Sequence, residues 1–260
     1  MANYTDYKKV DGAALPDGVI TDAKINSNAL NTWNIQWVYG TMSSPSGGCC
    51  CLWTVPTGVR RVTFEIWGSG GNGHGNCSWN RCHHYRGAGG GYYANKTVTT
   101  APGCQYTICA AGVYPCCSYE CVGCYGCASY VNGYNLSNFC AAGGHRGEAN
   151  TSWNTACNSV FTCCKGPNDQ GADFMMGSHA GEFGSHAYHC HCQCQGSQPF
   201  SAPFIGGEVQ YQLHECWNRC GCWTVPFANG GQGGMTTYCG NWDNGTGGTG
   251  GTGIVKITYV

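Results

Sequence analysis

The sequence predicts an all-β fold in which β-sandwich-like strands are combined with glycine-rich coils of polyproline-II type. The first observation is the run 245–253, where threonine recurs among glycines at a strict step of three residues. A helix repeats at 3.6 residues and a strand at two, whereas polyproline-II geometry repeats at three. The second observation is that glycine tracts recur at 68–73, 87–91 and 230–234. Because glycine edges let backbones touch, we expect rigid coils packed side by side.

Composition excludes several classes of protein. The 260 residues include 43 glycines and 23 cysteines, which is unlike an ordinary globular protein. Aromatic content is 13% and charged content only 10%, whereas a disordered chain has few aromatic and many charged residues. Nine prolines and short glycine runs do not fit collagen. A formal net charge of -1 provides no basic field for nucleic acid, and no apolar stretch reaches the length of a membrane span. We therefore expect a folded protein with no nucleic-acid partner and no membrane insertion.

The segment 1–48 contains no cysteine and is predicted to be an extended N-terminal arm. Its apolar residues form a thin stripe: Ile20, Ile25 and Leu30. A single chain cannot bury so thin a stripe, so we expect an arm or shaft segment in which several copies share a core. Trp33, Trp37 and Tyr39 are candidates to anchor that arm. The alternative is a solvated leader that docks on its own domain.

The segment 49–260 is predicted to be one glycine- and cysteine-rich β domain. Val62, Phe64 and Ile66 alternate with polar residues and should share one face of a strand. The predicted strands lie within 51–68, on either side of a turn at 56–58, and at 92–100, 104–110, 207–213 and 254–260. No long stretch carries a helical period, so the strands and the glycine coils account for the fold.

Three motifs resemble the glycine-rich domain of bacteriophage tail-fibre and adhesin proteins. They are the strand 53–68, the tract 87–93 that leads into 102–108, and the ending 253–259. The resemblance covers residues 49–112 and 229–260 in the same order. The arm at 17–30 is similar to the shaft repeats of trimeric phage fibres.

The resemblance implies a homotrimeric virion fibre, a tail fibre or similar appendage. Its N-terminal arm would bind other virion proteins, and its rigid, disulfide-stapled tip would adsorb to a bacterial surface glycan or protein. The family usually has few cysteines, whereas this chain carries 23 and a Cys- and aromatic-rich insertion at 113–228. Receptor specificity therefore does not transfer. A structural virion decoration protein without receptor contact is the first alternative.

The cysteine content predicts where the protein works. Such a density normally indicates an oxidising compartment and disulfide staples, each stabilising by roughly 2–4 kcal/mol. The N-terminus nevertheless lacks the apolar core of a signal peptide. A virion resolves this conflict, because it is assembled in the host cytoplasm and functions outside the cell after lysis.

Cysteine and histidine clusters make a Cys/His metal-binding protein the second alternative. The candidates for disulfides or metal ligation are Cys121, Cys124, Cys127, Cys190, Cys192, Cys194, Cys216, Cys220 and Cys222. His189 and His191 would bring six imidazoles together at a three-fold axis, a set suited to zinc or iron. The step of three residues within 121–127 has a second interpretation. In a polyproline-II coil it would place the three cysteine side chains on one edge, without a metal. Disulfides are the favoured reading, so no cofactor is required.

Catalysis is not expected. The 13 acidic residues are scattered without a pair for glycosidase chemistry, and the glycine tracts lack the Lys-Ser/Thr ending of a phosphate loop. For binding, aromatic side chains beside turns are the natural contacts with a receptor. The receptor-binding candidates are Trp79, His83, His84, Tyr85, Trp153, Trp217 and Arg219. For each of them, burial in the protein's own core is the competing interpretation.

Overall fold

The computed structural model describes residues 34–41, 48–73, 84–85, 88–113, 124–147, 149–150, 171–177, 204, 227–228, 237–238, 242–243 and 248–259. Thirteen strands form within these ranges: β1 (Asn34–Tyr39), β2 (Cys49–Thr54), β3 (Arg61–Trp67), β4 (His84–Tyr85), β5 (Tyr93–Thr99), β6 (Gln105–Ala110), β7 (Ser129–Gly133), β8 (Leu136–Ala141), β9 (Ala149–Asn150), β10 (Phe174–Met176), β11 (Thr237–Tyr238), β12 (Trp242–Asp243) and β13 (Ile254–Tyr259). The same ranges contain no helix, and thus none long and apolar enough to cross a membrane. The all-β prediction is confirmed.

Two antiparallel sheets form the body of the fold. The five-stranded sheet has the order β1-β13-β3-β5-β10, and the four-stranded sheet has the order β2-β6-β7-β8. Two short pairs, β4 with β9 and β11 with β12, accompany them. Consecutive strands β2 and β3 lie in different sheets, as do β5 and β6, so the chain crosses repeatedly between the two layers.

The core lies between the two sheets. Val62, Phe64 and Ile66 of β3 are fully buried on one face, which confirms the alternation expected from the sequence. From the opposite sheet, the Tyr106 ring lies 5.0 Å from the Phe64 ring, and Trp53 meets Phe64 edge-on at 6.2 Å. Burying each large side chain contributes roughly 1.5–3 kcal/mol, so these rings hold the layers together.

Both predicted outlying segments contribute strands to this sandwich. β1, which lies within the segment 1–48, pairs along its whole length with β13, from Asn34 opposite Tyr259 to Tyr39 opposite Ile254. β7 and β8 lie within 113–228 and complete the four-stranded sheet, while β10 forms an edge of the other sheet. Part of the predicted arm and part of the predicted insertion are therefore built into the domain.

A bundle of glycine-rich coils packs around the coil 68–73. The backbone N–H groups of residues 69 and 72 donate to the coil 124–127, those of 70 and 73 to the coil 248–251, and those of 68 and 71 to the segment 89–92, all at 2.8–3.0 Å. The carbonyls of 69 and 72 accept from residues 144 and 147. Each neighbour is thus met once in every three residues, which confirms the predicted three-residue period.

Glycine is required because the coils touch through their backbones. A Cβ added at Gly71 would fall on the carbonyl oxygen of His145, and one at Gly91 would fall on that of Gly68. The few polar side chains inside the bundle bond to its backbone: Ser69 Oγ accepts from the Cys127 N–H at 2.6 Å. The bundle is therefore held together by hydrogen bonds, with little contribution from apolar side chains.

Candidate functional site

The outer face of the five-stranded sheet carries exposed aromatic side chains. On β1, Ile35, Trp37 and Tyr39 alternate with residues of the opposite face, and Trp37 is 43% exposed and Tyr39 46% exposed. The register of the sheet aligns them with residues of the other four strands. One row across the sheet consists of Trp37, Lys256, Glu65, Asn95 and Phe174, and the next consists of Tyr39, Ile254, Trp67, Tyr93 and Met176. These two rows define what we call the outer face.

A polar network occupies the middle of the outer face. Lys256 Nζ forms an ion pair with Glu65 Oε2 at 2.7 Å and lies 5.7 Å from the centre of the Trp37 ring. The Tyr93 hydroxyl donates to Glu65 Oε1 at 3.1 Å, and Asn95 Nδ2 donates to that hydroxyl at 3.3 Å. Burial raises the pKa of Tyr93 to about 12, and the charge of Glu65 acts in the same direction. The phenol is therefore a stable hydrogen-bond donor at neutral pH.

Buried rings support the exposed ones. Trp67 and Tyr93 are only 3% and 4% exposed although they belong to the outer face. Trp37 stacks against Trp67 with ring centres 6.5 Å apart, and Phe174 lies 6.2 Å from Tyr93. Aromatic contacts of this kind add about 0.5–1.5 kcal/mol beyond area burial. Trp37 and Phe174 thus rest against buried rings, which limits the entropy lost when they bind a partner.

Most sequence-predicted site residues lie outside the described ranges. These are Trp79, His83, Trp153, Trp217, Arg219, His189, His191, Cys121, Cys190, Cys192, Cys194, Cys216, Cys220 and Cys222. His84 and Tyr85 form β4, whose backbone pairs with Asn150 and Ala149. The predicted strand 207–213 also lies outside the described residues.

Cys124 and Cys127 sit on one edge of their coil. Both carbonyl oxygens accept from the coil 68–73, at 2.9 Å from Asn72 N–H and 3.0 Å from Ser69 N–H, so one turn of the coil separates them. Cys124 is a free thiol. Burial raises the pKa of Cys127, and the neighbouring Cys124 raises it further. A protonated thiol is a poor nucleophile.

One disulfide joins cysteines of the described residues. Cys50 and Cys109 face each other on β2 and β6 and are bonded. The next residues in the same row are Tyr130 and the free Cys140, on the outer side of the four-stranded sheet. Burial raises the pKa of the Cys140 thiol. The bridge therefore staples two strands within one sheet.

No group of three or more metal-ligating side chains occurs within the ranges that the structure describes. His145 lies edge-on to the Tyr125 ring, with the ring centres 4.9 Å apart, and the Arg146 guanidinium is stacked 4.9 Å above the same ring. The three side chains therefore pack against one another beside the coil bundle. Zinc or iron at His189 and His191 stays a prediction.

Sequence reasoning missed the outer face as a unit. The alternation of Ile35, Trp37 and Tyr39 was visible and indicates a strand with one aromatic side. Lys256 and Glu65 are far apart in sequence, and only the sheet register brings them together. The arrangement offers stacking surfaces, an ion pair and an amide group for binding.

A comparison with curated proteins finds no match. The family described as "Glycine-rich domain" matches residues 44–260, which include twelve of the thirteen strands and every coil of the bundle. Because the match covers most of the 260 residues, the chain belongs to the glycine-rich domain family.

Proposed function

We propose that the protein is a bacteriophage virion fibre protein, from a tail fibre or similar appendage, that adsorbs to the host surface. The observation that carries the proposal is the outer face, where the exposed Trp37 stacks on the buried Trp67 and the exposed Tyr39 lies 5.0 Å from the Phe227 ring. Exposed aromatic side chains that need little ordering are typical anchors of binding surfaces. The proposed role is one of binding, without catalysis.

The scaffold suits a tip that must keep its shape outside the cell. Backbone hydrogen bonds register the coil 68–73 against its neighbours, and the Cys50–Cys109 bridge fixes β2 to β6. Assembly would take place in the host cytoplasm, and the bridge would persist in the medium after lysis.

The proposed assembly is a homotrimer that binds other virion proteins through the segment 1–48. Several copies turn weak contacts into firm attachment, because the second and third binding events occur at high effective concentration. The receptor would be a bacterial surface glycan or protein. Trp79, His83, His84, Tyr85, Trp153, Trp217 and Arg219 remain receptor-binding candidates beside the outer face.

Binding of labelled full-length protein to a panel of bacteria tests the proposal. We expect saturable binding to some strains, and a loss of it in Trp37→Ala/Tyr39→Ala. Leu52→Ala is the matched control, because Leu52 is 61% exposed but lies on the outer side of the other sheet. The wild-type protein should also compete with phage adsorption. Incorporation into virions without binding to any strain would instead favour the decoration protein.

A further inference from the structure

We propose that the outer face binds a neutral glycan, an uncharged oligosaccharide that lies across the strands along the row from Trp37 to Phe174. This inference rests on the proposed function and names the chemical class of receptor for that face.

The ends of the row provide stacking surfaces. Trp37 on β1 and Phe174 on β10 are both exposed. They belong to the two edge strands, so four inter-strand steps of about 4.8 Å place them about 19 Å apart. The C–H faces of sugar rings are apolar and pack on aromatic rings. A separation of this size suits several linked sugars better than a single one.

The centre of the row provides hydrogen-bonding groups. Lys256 has three N–H donors, and Glu65 has two carboxylate oxygens whose protein partners, Lys256 and Tyr93, leave further lone pairs. Asn95 adds an amide that has an oxygen acceptor and two N–H donors, one of which is bonded to Tyr93. A sugar hydroxyl both donates and accepts, so neighbouring hydroxyls can complete the bonds of an ion pair and an amide together.

The same polar centre argues against a flat protein partner. Covering Lys256 and Glu65 with apolar side chains would remove water from both charges, and that desolvation can exceed the attraction between them. Protein interfaces are correspondingly depleted of charged residues at their centres. Glycan hydroxyls can replace the lost water, and Thr63 and Thr97, whose hydroxyls lie 2.9 Å apart beside the row, extend the polar strip.

The charge of the row indicates an uncharged ligand. Lys256 and Glu65 neutralise each other at 2.7 Å, and the other three residues of the row are uncharged. At the β10 edge, Lys96 and Asp173 also form an ion pair at 2.8 Å. A polyanionic glycan would need unpaired cations, which the row does not offer.

A microarray of neutral and acidic oligosaccharides, probed with the full-length protein, tests the inference. We expect binding to neutral oligosaccharides. Trp37→Ala should weaken it at least tenfold, which is about 1.4 kcal/mol. Asn95→Ala, which removes an amide and leaves the rings, should also weaken binding. Leu52→Ala should not, and thermal melting of each variant shows whether it is folded.

Treated cells separate this inference from the proposed function. On a strain that binds the protein, periodate destroys sugar diols and should abolish binding, whereas proteinase should not. Loss after proteinase alone, with no signal on the array, would overturn the glycan and leave adsorption standing. Array binding without adsorption to cells would keep the glycan and refute adsorption. Preference for acidic sugars, or array binding unaffected by Trp37→Ala, would contradict the ligand or its site.

Discussion

Asn72 and Gly250 are joined by a hydrogen bond that spans 178 residues of sequence, with the side-chain Oδ1 accepting from the backbone N–H at 2.9 Å. Both residues are buried in the coil bundle. Asn72→Ala would leave that N–H without its acceptor, at a cost of about 1–3 kcal/mol. Chemical denaturation should therefore show a lower free energy of unfolding.

Asn132→Ala is the control for this prediction. Asn132 Oδ1 also accepts from a backbone N–H, that of Asn138, at 2.6 Å, but this bond is exposed to solvent. Water can replace the lost acceptor, so the change should be smaller than that of Asn72→Ala. Equal effects would mean that burial does not determine the cost.

Glycine substitutions should separate close backbone contact from backbone conformation. Gly71→Ala places a methyl group on the carbonyl oxygen of His145, and the coils must separate to admit it. Gly103 has φ +81° with nothing near its added Cβ, so Gly103→Ala should cost only about 1–2 kcal/mol. We expect soluble, folded Gly103→Ala and poorly folded Gly71→Ala, compared by yield and thermal melting. A well-folded Gly71→Ala would show that the coils can separate without loss of the fold.

The Cys50–Cys109 bridge should contribute measurable stability. The bridge joins cysteines 59 residues apart in sequence and so restricts the unfolded chain. The double variant Cys50→Ser/Cys109→Ser should therefore lose about 2–4 kcal/mol of unfolding free energy. Cys140→Ser, which alters a free thiol in the same row, should change stability less. Denaturation of oxidised protein measures both. An unchanged double variant would mean that strand pairing alone fixes β2 on β6.

In an alkaline titration, the Tyr93 phenol should ionise at a higher pH than an ordinary tyrosine. Its pKa is raised to about 12 by burial and by Glu65. A raised folded-state pKa adds stability that is fully present below the unfolded value of about 10 and is lost as pH rises through about 12. The ultraviolet absorbance of phenolate, compared between wild type and Tyr93→Phe, isolates this group. A difference spectrum that appears near pH 10 would contradict burial.

Acid should loosen the attachment of β10. Asp173 accepts from Lys96 Nζ at 2.8 Å and from the Thr97 N–H at 2.7 Å. The bond from Lys96 is the larger cause of the lowered pKa of Asp173, and the bond from Thr97 acts in the same direction. Its stabilisation is present above the unfolded pKa and is lost as pH falls through the folded one. Because Asp173 is exposed, Asp173→Asn should cost less than about 1 kcal/mol at pH 7. The difference from wild type should disappear in acid, and a constant difference would implicate another cause.

Five strands, β2, β3, β5, β6 and β13, were predictable from the sequence, but the other strands and the pairing were not. Alternation at Val62, Phe64 and Ile66 identifies a half-buried strand from local pattern alone. Pairing is decided by packing at long range, and β13 enters between β1 and β3 although almost two hundred residues separate it from β3. The period of three likewise predicts coils, but glycine has no side chain to specify which coil meets which.

The candidate site was predictable only in part. The sequence predicts Trp37 and Tyr39 as anchors of the arm, and their spacing of two residues places both on one face of a strand. Lys256, Glu65 and Asn95 are unremarkable in sequence, because each is one polar residue on an alternating strand. They become a network only when three strands are placed in register.

The backbone N–H groups of the coil 68–73 bond to three neighbouring segments in turn. Residues three apart donate to the same neighbour, so the position of a residue within the three-residue repeat determines its partner. Deleting one residue would turn every later amide toward the wrong coil, whereas deleting three would shorten the coil and keep each assignment. Length variation within such coils should therefore occur in triplets, while the segments that connect them are free of this restriction.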